Sequence, residues 1–183
     1  MRLALTLASR SPQRRAILEQ LGIEFVAVTP DVAERDAGQP GELVLSNARL
    51  KASAVAGELV LGVDTLVALD GEIHGKPRDA AGARRTLAAL AGRTHEVWGG
   101  LVLFAGGQER TAVVLTEVSF RSLSAAQIDW YVGTGEWRGR AGGYAIQERG
   151  AALVTAISGD FQNVVGLPVA ALLDLEPGLV FPR

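Results

Sequence analysis

The sequence predicts an α/β protein with a mixed sheet, and three observations carry that reading. Short apolar runs alternate with stretches that open on a helix-capping residue and close near a glycine, as successive β–α units do. Longer apolar runs meet at Asp70-Gly71 and at Gly106-Gly107, which are hairpin signals. An apolar content of 48% against 21% charged residues supplies a core and excludes global disorder. Crossovers and hairpins in one chain make the sheet mixed rather than all parallel. The 183 residues show no repeat, low-complexity tract or linker, so residues 1–183 read as one domain.

Leu3 to Ala8 reads as a short buried strand. Ser11 is a helix N-cap and Pro12 a first helical residue, with the helix running to about Leu21 and Gly22 closing it. "IEFVAVTPD" gives a second strand and "RDAGQPGE" a polar loop. A helix over about residues 42–56 is expected to end at Gly57. "LVLGVDTLVALDGEIHGKP" reads as a hairpin, Asp79 as the cap of a helix ending at Gly92, and the segment from Glu96 to Phe120 as two antiparallel strands. Ser124 with Gln127 makes a capping box for a helix to about Val132. Residues 133–143 read as a mobile glycine-rich loop. "AALVTAIS" is a further strand, and Leu167 to Leu175 a last helix.

Composition narrows the chemistry. The chain has no cysteine, which excludes disulfides, thiol nucleophiles and cysteine-held zinc. It has two histidines, His74 and His95, each without a motif partner and read as surface or packing residues. A metal would therefore sit on oxygen ligands, which favours magnesium or manganese. A net charge of −2 argues against bulk binding of nucleic acid. The apolar run after Met1-Arg2 is too short for a secretory signal, and no stretch is long enough to span a membrane, so a cytoplasmic protein is expected.

Several residues stand out against this background. "SRSPQRR" puts Arg10, Arg14 and Arg15 around a helix start, where backbone N–H groups and the Ser9 and Ser11 hydroxyls would favour an anion. The alternative is a solvated helix end with arginine tails. Asp64 interrupts the apolar run "LVLGVDTLVAL", and a buried carboxylate is costly unless paired or metal-bound. The alternative is a turn residue at a strand end. Gly62 before it would admit a ligand or another backbone. Lys51 shares a helical stripe with Val44, Ala48 and Val55, so it either snorkels outward or neutralises a buried anion. Lys76, in "HGKPRD", is a loop lysine or a phosphate ligand. Glu34 gains meaning only if the fold brings it to Asp64, where two carboxylates could share a divalent cation. Gln147 could read a base edge or bond a turn.

Taken together these segments resemble one family. "LASRSPQRRAILEQLG", "ARLKA", "LGVDTLV", "GKPRDAAGARRTLAALAGRTHEV", "YVGTGEWRGRAGGYAIQERG" and "GDFQNVVGLPV" occur in order over nearly the whole chain. Their sum is similar to the Maf family of nucleoside triphosphate pyrophosphatases. The resemblance implies an elongated mixed α/β sheet flanked by helices with a central cleft, related to the inosine-triphosphate pyrophosphatase fold. It implies hydrolysis of a nucleoside triphosphate to monophosphate and pyrophosphate with Mg²⁺ or Mn²⁺, or Co²⁺, and allows a homodimer, for which the sequence carries no interface signature. Asp64 is implied as the acid that activates water or binds metal with Glu34. Ser9, Arg14, Lys51 and Lys76 are implied as substrate ligands, and Gln13, Thr65 and Gln147 as base selectors. Thr65 and Gln147 fit the dTTP/UTP-selective branch. Gln13 stands where that branch carries arginine, Arg140 where lysine is usual and Glu148 where glycine is usual. Two other readings remain beside hydrolysis: a non-catalytic nucleotide-binding regulator of cell division, and a nucleotidyltransferase with the same ligands.

Overall fold

The computed structural model describes residues 4–181. It is an α/β fold on a seven-stranded mixed sheet with helices against it, as the sequence predicts. Strand β1 (Leu5–Ala8) leads into helix α1 (Pro12–Gln20) and edge strand β2 (Phe25–Val28). Helix α2 (Pro40–Ser53) crosses to the long strand β3 (Leu59–Leu69), which turns back as β4 (Glu72–His74). Helix α3 (Ala80–Leu90) precedes the hairpin β5 (Thr94–Ala105) and β6 (Gln108–Phe120). Helix α4 (Ala125–Thr134), strand β7 (Val154–Ser158) and helices α5 (Phe161–Val165) and α6 (Val169–Leu175) follow. Leu3, expected at the start of the first strand, lies outside the described residues.

Sheet order is β2-β1-β3-β5-β6-β7, with β4 also on β3. β1 pairs in parallel with β2 and β3, while β4, β5, β6 and β7 pair antiparallel. At the β3–β4 turn Asp70 and Gly71 both adopt positive φ, 51° and 82°, as a tight hairpin matched to strand twist requires.

One detail of the pairing shapes the molecule. β1 and β4 lie on the same edge of β3, but β1 reaches only to Gly62 and β4 begins opposite Val67. Residues 63–66 of β3 therefore have no strand partner on that side. The packing divides at the same place. On one sheet face Leu59, Leu61 and Val63 join a cluster with α1 and α6, while Val67 and Leu69 join another with α3, α4 and Tyr144. Thr65 sits between the two.

Helix α2 covers the other face unusually closely. A Cβ at Gly62 would stand 2.1 Å from the Ala48 carbonyl oxygen, and one at Gly100 2.6 Å from that of Val44. Gly62 thus admits another backbone, one of the roles the sequence suggested.

Four segments differ from expectation. Helix α2 starts at Pro40, a favoured first-turn residue, and ends at Ser53, before Gly57. Gly57 is needed instead where the chain passes β1, since a Cβ there would lie 2.7 Å from Thr6 Oγ1. The expected strand "AALVTAIS" is half a 3₁₀ turn, Arg149–Leu153, because Gly150 packs on the Ala145 backbone before β7 begins. Helix α5 precedes the expected last helix, capped by Asp160 Oδ1 on the Gln162 and Asn163 amides. Pro168 then forces a new start, so α6 begins at Val169 rather than Leu167. Residues 133–143 carry the end of α4 and a 3₁₀ turn over Ala141–Gly143.

The stretch after α4 is pinned from below. Trp137 Nε1 donates to the Val132 carbonyl (3.0 Å), and the Ala145 amide donates to Tyr131 Oη (2.8 Å). Tyr144 Oη lies 2.9 Å from His95 Nε2, and His95 and Phe120 both meet the tyrosine edge-on. His95 is wholly buried, and burial, with a smaller effect of His74, depresses its pKa from 6.5 to about 4. The unfolded chain therefore binds the proton first as pH falls, so stability is lost from pH 6.5 downward and fully withdrawn near pH 4. That loss is roughly 3 kcal/mol for this group. Urea unfolding of the wild type and of His95→Gln from pH 7 to 4 should show a shallower decline in the variant; parallel declines would remove His95 as the cause.

Candidate active site

The open edge of β3 is the floor of a cleft of about 290 Å³. β1 ends at one lip and delivers Ser9. Beyond β4, Gly75 leads to Lys76 at the other. The residues singled out in the sequence come together here: Ser9, Gln13, Arg14, Glu34, Lys51, Asp64, Thr65, Lys76 and Gln147 all line the cleft. A recess of about 360 Å³ adjoins it and shares Glu34, Asp64, Thr65 and Lys76.

Asp64 is 7% exposed and lies in mid-strand, paired with β5 opposite Gly100, not at a strand end. Strand alternation turns it toward α2. There Lys51, itself 4% exposed, places Nζ 2.6 Å from Asp64 Oδ1 and 3.0 Å from Glu34 Oε2. Of the two readings of Lys51, the geometry selects neutralisation. Burial raises the pKa of Glu34, but Lys51, by charge and hydrogen bond, together with Lys76 and Arg14, outweighs it and leaves the carboxyl below its ordinary value. The usual sequence of events follows: the ion pair forms fully above the ordinary carboxylate range and fails as pH drops below it.

Thr65 points to the opposite face, where Arg14 waits. Ser11 caps α1 through the Arg14 amide, and the guanidinium bends back into the seam between the two cores. Its Nε donates to the Gly166 carbonyl (2.8 Å), one terminal nitrogen to Ser9 Oγ (3.0 Å) and the other to Thr65 Oγ1 (3.1 Å). Only 8% exposed, Arg14 is no solvated tail. Burial lowers its pKa, against the fields of Asp64 and Glu34. Lys76 is also lowered, first by burial and then by Lys51 and Arg14, so it gives up its proton more readily than a surface lysine. At the far end, Gln13 and Arg140 form the wall beside the exposed Gln147.

With this geometry in place, the chain can be set beside known proteins. The model of the family described as Maf-like protein matches residues 4–176. A dTTP/UTP pyrophosphatase of Anaeromyxobacter dehalogenans (strain 2CP-C) is 50% identical, over 97% of this chain and 95% of its own length. One from Symbiobacterium thermophilum is also 50% identical, with the same coverage. One from Myxococcus xanthus (strain DK1622) is 46% identical over 97% and 94%. The chain belongs to the Maf-like family.

The Maf-like site contains a residue that sequence reasoning missed. Asn47 is buried on α2, and its Nδ2 donates to Asp64 Oδ2 (3.2 Å) and to the Arg35 carbonyl (2.9 Å). Its Oδ1 accepts from the Arg35 amide (2.8 Å). One side chain thus fixes Asp64 and clips the loop that carries Glu34. The signal was present, because Asn47 lies three residues after Val44 and four before Lys51 on the same inward stripe. The Gly166 carbonyl was also missed; a backbone acceptor leaves no mark in a sequence.

Among the described residues no three acidic or histidine side chains form a cluster fit to hold a metal by themselves. The donor set nevertheless suits a hard divalent cation. Glu34 and Asp64 each retain oxygen lone pairs beyond their bonds to Lys51 and Asn47, and Mg²⁺ is commonly held by one or two carboxylates with substrate phosphates and water.

Removing one partner of a buried ion pair leaves the other charge uncompensated. Lys51→Met should therefore lose about 3–5 kcal/mol at pH 7 in urea unfolding. Adding Asp64→Asn, which removes the buried negative charge, should restore more than half of that loss. A double variant as unstable as the single one would assign the loss to packing.

Proposed function

We propose that this chain hydrolyses nucleoside triphosphates to the monophosphate and pyrophosphate, preferring dTTP and UTP, and acts in the cytoplasm. The observation that carries the reading is the buried Asp64 carboxylate, held by Lys51 and Asn47 at the floor of a cleft where Arg14 and Lys76 supply positive charge. The activities for which the relatives from Anaeromyxobacter, Symbiobacterium and Myxococcus are named support it.

In this reading the triphosphate lies along the cleft with its phosphates toward Arg14, Ser9 and Lys76 and its base toward Gln13, Thr65 and Gln147. Asp64 takes a proton from a water molecule as that water attacks the α-phosphorus. The bond from the α-phosphorus to the bridging oxygen breaks, and pyrophosphate leaves with the electron pair. Arg14 and Lys76 balance the charge that grows on the departing oxygens. Lys51 holds Asp64 in place at the floor of the cleft. A divalent cation on Glu34 and Asp64, when bound, would neutralise phosphate charge and polarise the anhydride. Burial of the reacting groups between two cores limits water and strengthens each of these interactions.

The test is pyrophosphate release from a panel of canonical and modified triphosphates with Mg²⁺, Mn²⁺ and Co²⁺. Release is expected to be highest with dTTP and UTP. Asp64→Asn should lower kcat by about 10²–10⁴ while nucleotide affinity is retained. Wild-type turnover in that variant would reject Asp64 as the base. Nucleotide binding without pyrophosphate release would instead favour the regulator.

A further inference from the structure

The wall formed by Gln13 and Arg140 carries a network that the reaction described above does not use. The Gln13 amide lies between Ser11 Oγ and the Arg140 guanidinium. A guanidinium has donors only, so the amide oxygen must face it. In that orientation the oxygen accepts from both terminal nitrogens of Arg140, at 2.8 and 3.2 Å, and the amide nitrogen donates to Ser11 Oγ at 3.0 Å. Arg140 is held from two more sides. Its Nε donates to the Glu136 carbonyl (2.9 Å), and a terminal nitrogen donates to Glu148 Oε1 (2.9 Å). The side chain is 17% exposed, in the cleft wall next to Tyr144 and Gln147.

Both ends of the Gln13 amide are thus engaged with protein. What this wall offers a ligand is the guanidinium. Of its five N–H groups, four have these partners, and the nitrogen nearer Gln13 keeps one proton to give. The Ala141–Gly143 turn fixes the backbone that carries it: Gly142, at φ +67°, packs so tightly on Val67 that a Cβ would lie 2.8 Å from that side chain. The donor is therefore held by the fold and is not a free arginine tail.

We propose that Arg140 meets the carbonyl edge of the nucleobase and that Gln13 and Glu148 are positioning residues that hold its guanidinium. This rests on the dTTP/UTP reading of the cleft. Thymine and uracil present carbonyl oxygens on both sides of N3, whereas cytosine replaces one of them with an amino group. The one free N–H of Arg140 can donate to the carbonyl of thymine or uracil but opposes the amino group of cytosine, a difference of about 10- to 100-fold for a charge-assisted hydrogen bond. The same group explains why a cation can be absent from position 13: Arg140, bonded to Gln13, brings the positive charge to this wall from the segment after α4.

The test is calorimetric binding of the non-hydrolysable α,β-methylene analogues of dUTP and dCTP to the wild type and to Arg140→Ala, Arg140→Lys, Gln13→Ala and the Arg140→Ala/Gln13→Ala double variant. Arg140→Ala should weaken the uracil analogue about 10- to 100-fold and the cytosine analogue less than about threefold. Gln13→Ala should weaken the uracil analogue by a smaller factor and add nothing once Arg140 is gone. Arg140→Lys, which keeps a donor, should recover part of the selectivity and rules out misfolding as the cause. An unchanged ratio of the two affinities in Arg140→Ala overturns the proposal. So does a Gln13→Ala penalty that is equal with and without Arg140, since Gln13 would then read the base itself. Because binding is the readout, an absence of pyrophosphate release would overturn the reaction and leave this result legible. Equal wild-type affinity for the two analogues would overturn the Arg140 assignment while release from either triphosphate left the reaction standing.

Discussion

The Lys51 ammonium, enclosed between Asp64 and Glu34, sets the terms for the rest of the structure. Lys51 and Asp64 are both buried, and either would be costly there alone, while Glu34, its side chain about a third exposed, joins them from the cleft side. In this arrangement α2 lies almost on the sheet. Gly62 and Gly100 make that approach feasible, one on each of two neighbouring strands. Asn47 then completes the shell of Asp64 from the same helix. Replacing such a group by apolar residues is often neutral or stabilising, so its presence is better explained by what the carboxylate does than by stability.

The site also depends on what the sheet leaves out. β1 and β4 share one edge of β3 and stop short of each other. That gap joins the two faces of the sheet, so Asp64 and Thr65, adjacent in sequence but turned to opposite faces, serve one cleft. Arg14 on one side and Lys51 on the other can then act on the same ligand. Parallel sheets place their ligand sites where strand order switches, at the carboxyl ends of strands. Here β1 runs out at Ser9, and the chain beyond it opens α1, which supplies Arg14.

Much of this was legible in the sequence, and the reason is local. Asp64 and Lys51 are charged residues inside apolar patterns, and burial converts such exceptions into partners. The hairpins at Asp70-Gly71 and Gly106-Gly107 and the Ser124 capping box were legible because a few adjacent residues determine them. The misreadings involve contacts between distant segments. Gly57 looks like a helix terminator until Thr6 is brought against it, and Gly150 carries no sign that it must pack on Ala145. Asn47 was hidden by its own ambiguity, since asparagine on a helix is more often a surface residue than the clip for a loop twelve residues away.

Charge balance links the site to its cation requirement in the proposed reaction. Lys51 is engaged by Asp64, Glu34 and the Val63 carbonyl, and Arg14 already directs three donors to Ser9, Thr65 and Gly166. Arg140 is held at the other wall by Glu148 and Gln13. That leaves the remaining donors of Arg14, and Lys76, for phosphate oxygens, and burial has already made the Lys76 proton easier to lose. A triphosphate brings more negative charge than those two side chains can offset in a site of low dielectric. A hard divalent cation on the free lone pairs of Glu34 and Asp64 would supply the difference without adding a further buried side chain. In the proposed reaction the site would become short of positive charge only when the triphosphate binds, so metal affinity would rise with the presence of substrate phosphate.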